Sequence, residues 1–168
     1  MLYIFGGLPA TGKTEISRYL AATVSAAYIR IDTIEQQLRE QGFINLYDEA
    51  YQLAFLVALD NLKNGISVVA DSTNPVKESR QAWVKVAKQA QTSFTEIEII
   101  CSDKQEHRKR VETRITDIPK LLLPDWESVI SRDYQKWLSP DIVLDTATKT
   151  PEQSKHELMQ LLRSGYQK

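Results

Sequence analysis

Cysteine is nearly missing from these 168 residues: Cys101 is the only one. That excludes an internal disulfide framework and a cysteine-rich metal site, and fits a reducing cytoplasm. Long apolar runs are missing as well. The N-terminal run has no basic flank and ends in glycines, and "LAFLVAL" falls far short of the ~20 residues a membrane span needs, so neither a leader nor a span is expected. Nor does either sign of charge dominate. With 21 Lys+Arg against 22 Asp+Glu the formal net charge is −1, so the overall balance gives no surface that would hold nucleic acid or anionic membrane by charge alone. Only a local basic patch stays open. Repeats, low-complexity stretches and linkers are absent, and the one irregular region is "DIPKLLLPD", kept out of regular structure by Pro119 and Pro124. A chain of this length, 42% hydrophobic, has material for one sizeable core, and a single domain over 1–168 is expected.

What is present is an alternation. Apolar, β-rich runs recur at "LYIFG", "AAYIRID", "ISVVAD", "FTEIEIIC" and "DIVLDT", separated by stretches with helical spacing. Strands alternating with helices imply an α/β fold, a parallel sheet covered on both faces. Among the helices, one over 46–64 would cover the sheet with Ala50, Leu53, Ala54 and Val57 and stop at Asn64-Gly65. A second is expected to start with Asn74 as cap and Pro75 at the first helical position, and a third at Thr150-Pro151, where Gln153 would close a capping box.

The first strand runs straight into "GLPATGKT", which fits G-x-x-x-x-G-K-[S/T] at every fixed position and opens the predicted helix "KTEISRYLAAT". Glycines let a backbone turn tightly enough for its N–H groups to converge on phosphate oxygens, and the helix adds its positive N-terminal end. Gly7, Leu8, Pro9, Ala10, Thr11 and Gly12 would thus cradle a nucleoside triphosphate. Lys13 would reach the β- and γ-phosphates, and Thr14 would offer a hydroxyl to Mg²⁺. Other P-loop classes fit less well. No N-K-x-D or T-K-x-D run supplies a guanine pocket, and "VVADST" lacks the adjacent Asp-Glu pair of motor ATPases. A small phosphotransferase remains.

Together with the P-loop, "RID" after the second strand, "VVADSTNP" at the third, "CSDKQEHRKRVETR" after the fourth and "DIPKLLLPDWESVISRDYQKW" beyond it resemble the small predicted kinases of the AAA_33 group. That group is similar to the kinase domain of polynucleotide kinase, to zeta toxins and to chloramphenicol phosphotransferase. The resemblance implies a P-loop NTPase fold with strand order 2-3-1-4-5, a small helical lid at about 103–124, and ATP and Mg²⁺ as ligands. It also implies that Asp32 is the base that deprotonates an acceptor hydroxyl; the alternative is an N-cap for "TIEQQLREQ". Polynucleotide-type members carry an arginine three residues on, where this chain has Glu35. If Glu35 faces the pocket, it favours a neutral, polyhydroxylated or cationic acceptor; otherwise it is an exposed first-turn acid.

Asp71, closing the third strand, would support Mg²⁺ directly or through Thr14. Thr73 and Arg80 are candidates for the acceptor side, although an arginine on so polar a helix is more often a solvated side chain. In "SDKQEHRKRVETR", Ser102 or Asp103 would cap a helix, with Gln105 or Glu106 completing the box and Arg110 and Arg114 one turn apart. As lid arginines these two would neutralise transition-state charge, with Arg108 near the adenine; the alternative is a solvated basic face. Trp126, Val129, Ile130, Tyr134 and Trp137 recur at helical spacing, a core stripe from which Trp126 could wall the acceptor site, and Arg132 could add a phosphate contact. His107 and His156 receive no role, and "DTATKT" would meet adenine through its backbone. The expected protein is a cytoplasmic ATP- and Mg²⁺-dependent kinase acting on a small-molecule hydroxyl. A polynucleotide 5′-hydroxyl kinase is disfavoured by Glu35 and the net charge, and a nucleotide-gated regulatory module by Asp32 and the arginines.

Overall fold

A computed structural model describes residues 1–44 and 46–165. Five parallel strands, β1 (Leu2–Gly6), β2 (Ala27–Arg30), β3 (Val68–Asp71), β4 (Phe94–Ile100) and β5 (Ile142–Asp145), pair in the order β2-β3-β1-β4-β5. β1 lies in the middle, with Leu2 opposite Val68 and Phe94. Because side chains alternate along each strand, the sheet has two cores. Leu2, Ile4, Val68 and Ala70 face α3 (Glu49–Lys63) and α4 (Lys77–Gln89), around the fully buried Trp83. Tyr3, Phe5, Val69, Ile97 and Ile99 face α1 (Lys13–Thr23) and α7 (Pro151–Gly165). Full burial of each such side chain contributes roughly 1.5–3 kcal/mol. Phe55 meets Trp83 edge-on at 4.7 Å, a geometry that adds about 1 kcal/mol.

All strands point the same way, so their carboxyl ends bring Gly6, Arg30, Asp71, Ile100 and Asp145 to one rim. β2 passes directly into α2 (Ile31–Glu40), and α5 (Lys104–Thr113) and the short α6 (Trp126–Ile130) stand above the rim. Among the described residues, no helix is long and apolar enough to cross a membrane.

Several helix expectations are corrected. α3 starts at Glu49 and buries Ala50, Ala54, Ala58 and Leu62, whereas Leu53 and Val57 stay 45% and 49% exposed. Small residues at i, i+4 spacing let α3 lie close to its neighbours, so alanines, not the larger residues, mark the inner face. Asn74 caps nothing. It is fully buried at φ +46°, its Nδ2 donates to the Phe5 carbonyl at 2.7 Å, and α4 begins three residues later, its first amide bonded to the Gln135 side chain. The 126–137 stripe is not one helix: only Trp126, Val129 and Ile130 lie on α6, and Ile130 is exposed. The other two starts hold. Thr150 and Gln153 exchange both capping-box bonds, and Asp103 caps α5 by accepting from the Gln105 and Glu106 amides.

Candidate active site

The loop from β1 to α1 is shaped by close approach. Gly7 has φ +142°, and a Cβ there would sit 2.2 Å from the Ile99 carbonyl oxygen; its amide donates to Thr73 O at 3.1 Å. Ala10 and Gly12 also have positive φ, at 65° and 94°. No side chain caps α1, so its first-turn amides keep their donors for an anion. The loop is braced from behind: Thr146 Oγ1 donates to Thr11 O at 2.7 Å, and His107 Nε2–H to Pro9 O at 2.8 Å. His107, given no role from sequence, is thus buried as a tie between α5 and the loop.

In front of the loop lies a cavity of about 1200 Å³. Pro9, Ala10, Gly12, Lys13 and Thr14 line its floor, Asp32, Glu35 and Thr73 one flank, and Arg110, Arg114 and Arg132 the other. Gly7, Leu8 and Thr11 form the turn without lining the cavity. Lys13 is buried, its Nζ 3.8 Å from Asp71 Oδ1. Asp71 is 2% exposed and accepts from the Tyr28 hydroxyl at 2.6 Å, so its charge is compensated on both oxygens. Burial and then the Asp71 carboxylate push the Tyr28 hydroxyl well above its ordinary value.

Asp32 occupies the first turn of α2, 48% exposed, and not the N-cap, which is Arg30 with extended backbone. Arg30 is a hub. Its NH1 donates to Asp117 at 2.7 Å, while its NH2 and Nε lie 4.0 Å from Asp32 and Asp71. Arg18 of α1 holds the other oxygen of Asp117 at 2.5 Å. These two guanidiniums hold the Asp117 carboxyl far below the usual carboxylate range. Asp117 therefore fastens the segment after α5 to both α1 and β2.

Arg110 donates to Thr146 Oγ1 and O and to Glu106, which also accepts from the Thr148 amide instead of closing a capping box. Arg114 lies just past the end of α5 but still reaches the cavity. Its buried Nε has no partner, and burial lowers its pKa, with Asp32 opposing the shift and Arg30 and Arg132 adding to it. A desolvated guanidinium beside two others is a ready site for an anion. Tyr51 also lines the cavity; burial above all, with smaller contributions from the Glu35 and Asp32 carboxylates, pushes its hydroxyl up to about 12. Glu35 does face the cavity, but Arg39 pairs with it at 3.1 Å.

Arg108 is exposed and bonded to Glu112. Two expected contacts fall elsewhere. Arg80 is buried on the far side of α4, stacked 4.9 Å over the Trp137 ring and bonded to the Val76 and Gln135 carbonyls. Trp126 stands edge-on to His107 and does not line the cavity. Arg18, Arg30 and Asp117 escaped sequence reasoning, although "RID" at a strand end pointed to Arg30. Among the described residues no trio of His, Cys, Asp or Glu forms a metal cage. Thr14 on the floor, with Asp71 behind Lys13, fits a magnesium ion held mostly by phosphate oxygens and water.

The same fold occurs in the Mycobacterium tuberculosis APS kinase CysC in complex with AMPPNP and APS, with TM-score 0.69, 20% identity and 96% of each chain covered. A gluconokinase from Sinorhizobium meliloti superposes with TM-score 0.64 at 14% identity, over 98% of this chain and 93% of that one. In sequence, the L-seryl-tRNA(Sec) kinase of Methanococcus maripaludis is 26% identical over 157 residues, which is 89% of this chain. The chain spans 60% of that relative's length. The AAA_33 family, described as an AAA domain, matches residues 2–120, and with the P-loop, strand order and cavity in place the chain belongs to it.

Proposed function

We propose that this protein is a kinase that transfers the γ-phosphoryl group of ATP to a hydroxyl of a small-molecule acceptor. The observation that carries the reading is the cavity itself, where the P-loop lysine, a partly exposed Asp32 and the unpartnered Arg114 share one space. The loop amides and Lys13 bind the β- and γ-phosphates, and the 145–148 turn behind the P-loop takes the adenine through its backbone. Asp32 accepts the acceptor's hydroxyl proton as that oxygen bonds to the γ-phosphorus and the bond to the β-phosphate oxygen breaks, releasing ADP. Arg110 and Arg114 hold the charge that spreads over the equatorial oxygens, and the 103–124 segment shields the reaction from water. A magnesium ion at Thr14, with Asp71 in support, supplies charge neutralisation of the phosphates.

Glu35 on the acceptor flank, backed by Tyr51, favours a neutral polyhydroxylated or amine-bearing acceptor over one with a phosphate at that position. The kinds of acceptor printed for the relatives, a gluconokinase's and a seryl-tRNA kinase's, support a hydroxyl as the acceptor here. The test is product analysis by mass spectrometry after incubation with Mg·ATP and a panel of sugars, nucleosides, amino alcohols and 5′-hydroxyl oligonucleotides. A phosphorylated product in one class, lost in Lys13→Ala, is the expected result. Tight ATP binding with no product in any class would favour a nucleotide-gated module.

A further inference from the structure

α4 is shared by two cavities. Val76 at its N-cap and its Glu78, Ser79 and Ala82 line the site above, while Lys77, Arg80, Gln81, Lys85 and Lys88 line a second cleft of about 720 Å³. Glu96 of β4 and the 135–140 segment, which adds Lys136, close its other side. Five cations and one acid thus line it. None of the five makes an ion pair, whereas Lys13, Lys120, Lys149 and Lys155 all do. Of the seven described lysines without an ion pair, four lie in this cleft.

The chain has more acids than bases, so it had the means to neutralise this surface and does not. The one acid in the first turn of α4, Glu78, is on the other face. Lys85 and Lys88, one turn apart, repel each other with nothing between them. The floor is a fixed charge: Arg80 is 6% exposed and held by two carbonyls and the Trp137 ring, not by a carboxylate. Glu96 lies close to Arg80, and Glu98 behind it lies close to Arg80 and Lys136, which leaves Lys77, Lys85 and Lys88 as the cations with no carboxylate beside them among the described residues.

We infer that this cleft is a binding surface for the phosphodiester backbone of a nucleic-acid strand. From Lys77 to Lys88 the row of cations extends about 16 Å, the span of several successive phosphates and more than a single phosphate group requires. The exposed cations are lysines, point charges suited to sequence-independent phosphate contacts. Trp137 is buried, leaving no platform on which bases would stack. At Pro75–Lys77 the cleft adjoins the cavity above the P-loop. The net charge of −1 concealed this because the cations are segregated, not because they are few. The surface stands whether or not the kinase reading does.

The test is fluorescence anisotropy with a labelled single-stranded RNA of about 12 nucleotides, without ATP, between about 50 and about 200 mM KCl. Four lysine contacts predict a slope of log K against log salt near −2.8, at about 0.7 per phosphate neutralised. The double charge reversal Lys85→Glu, Lys88→Glu should weaken binding by at least about tenfold and halve the slope. Lys63→Glu with Lys109→Glu, unpaired lysines outside the cleft, should leave both unchanged. Circular dichroism confirms that each variant is folded. No binding at the lowest salt, equal losses in the two double variants, or displacement of the RNA by an equal phosphate concentration of inorganic tripolyphosphate would overturn the assignment.

Discussion

Replacing Gly7 by alanine tests whether the P-loop's first glycine is there for the sheet as much as for the phosphate. At φ +142° an L-residue is strained by about 1–3 kcal/mol. The new Cβ would also lie 2.2 Å from the Ile99 carbonyl oxygen, which is backbone in β4, paired on both sides, and cannot swing away. Relieving that overlap costs a further ~1–3 kcal/mol. The sum, around 4 kcal/mol, is a large part of the ~5–15 kcal/mol that holds an ordinary domain together. For a chain of this size it corresponds to a Tm lower by roughly 10 °C. Gly42 gives the control. It has φ +94° but nothing within 4 Å of its Cβ position, so Gly42→Ala should show the strain alone, with a Tm drop of about 5 °C. Thermal unfolding followed by circular dichroism measures both. If Gly7→Ala melts within about 3 °C of wild type, or no lower than Gly42→Ala, the close approach to β4 is not what fixes this residue.

Asp117→Asn should lower stability by only about 1 kcal/mol, since two of the three partners are half exposed. Because the folded-state pKa of Asp117 is depressed, that contribution is fully present above its ordinary value near 3.9 and is lost only as the pH falls below it. The gap in Tm between wild type and variant should therefore be constant from about pH 5 to 8 and shrink in stronger acid; a gap that widened in acid would contradict the ion-pair assignment. Arg114→Gln removes a buried guanidinium whose Nε has no partner, so its Tm should stay level or rise while turnover falls by about 100-fold or more. A matching loss of both would make Arg114 a structural residue.

Where the signal was local, the sequence was readable. The five strands, their alternation with helices and the P-loop each depend on neighbours within a few residues, and all five strands are present in parallel. The hub around Arg30 was not readable for the opposite reason: Asp117 meets Arg18 and Arg30 across 99 and 87 residues, and no periodicity records such a pairing. Asn74 carried a true start signal in Asn-Pro. The end of β3, however, places it under β1, where satisfying the buried Phe5 carbonyl outweighs capping a helix. Arg80 read as a solvated residue of a polar helix and is buried because Trp137 and two carbonyls receive its guanidinium. In the 126–137 stripe the helical spacing was real, but Trp137 packs on Gly6 and Arg80 and the chain leaves the helix to bring it there. For the site, the cavity unites Lys13, Thr14, Asp32, Glu35, Thr73, Arg110 and Arg114, and leaves out Arg80, which Trp137 and two carbonyls hold on the other side of α4.

The central claim is that Asp32 accepts a proton from the group that attacks ATP. The most direct measurement is ADP release from Mg·ATP by wild type and Asp32→Ala, each with and without the members of the acceptor panel. Turnover should be stimulated by one acceptor class, with phosphate recovered on that acceptor, and the stimulation should be lost in Asp32→Ala with ATP still bound. Stimulated turnover that survives Asp32→Ala would contradict it.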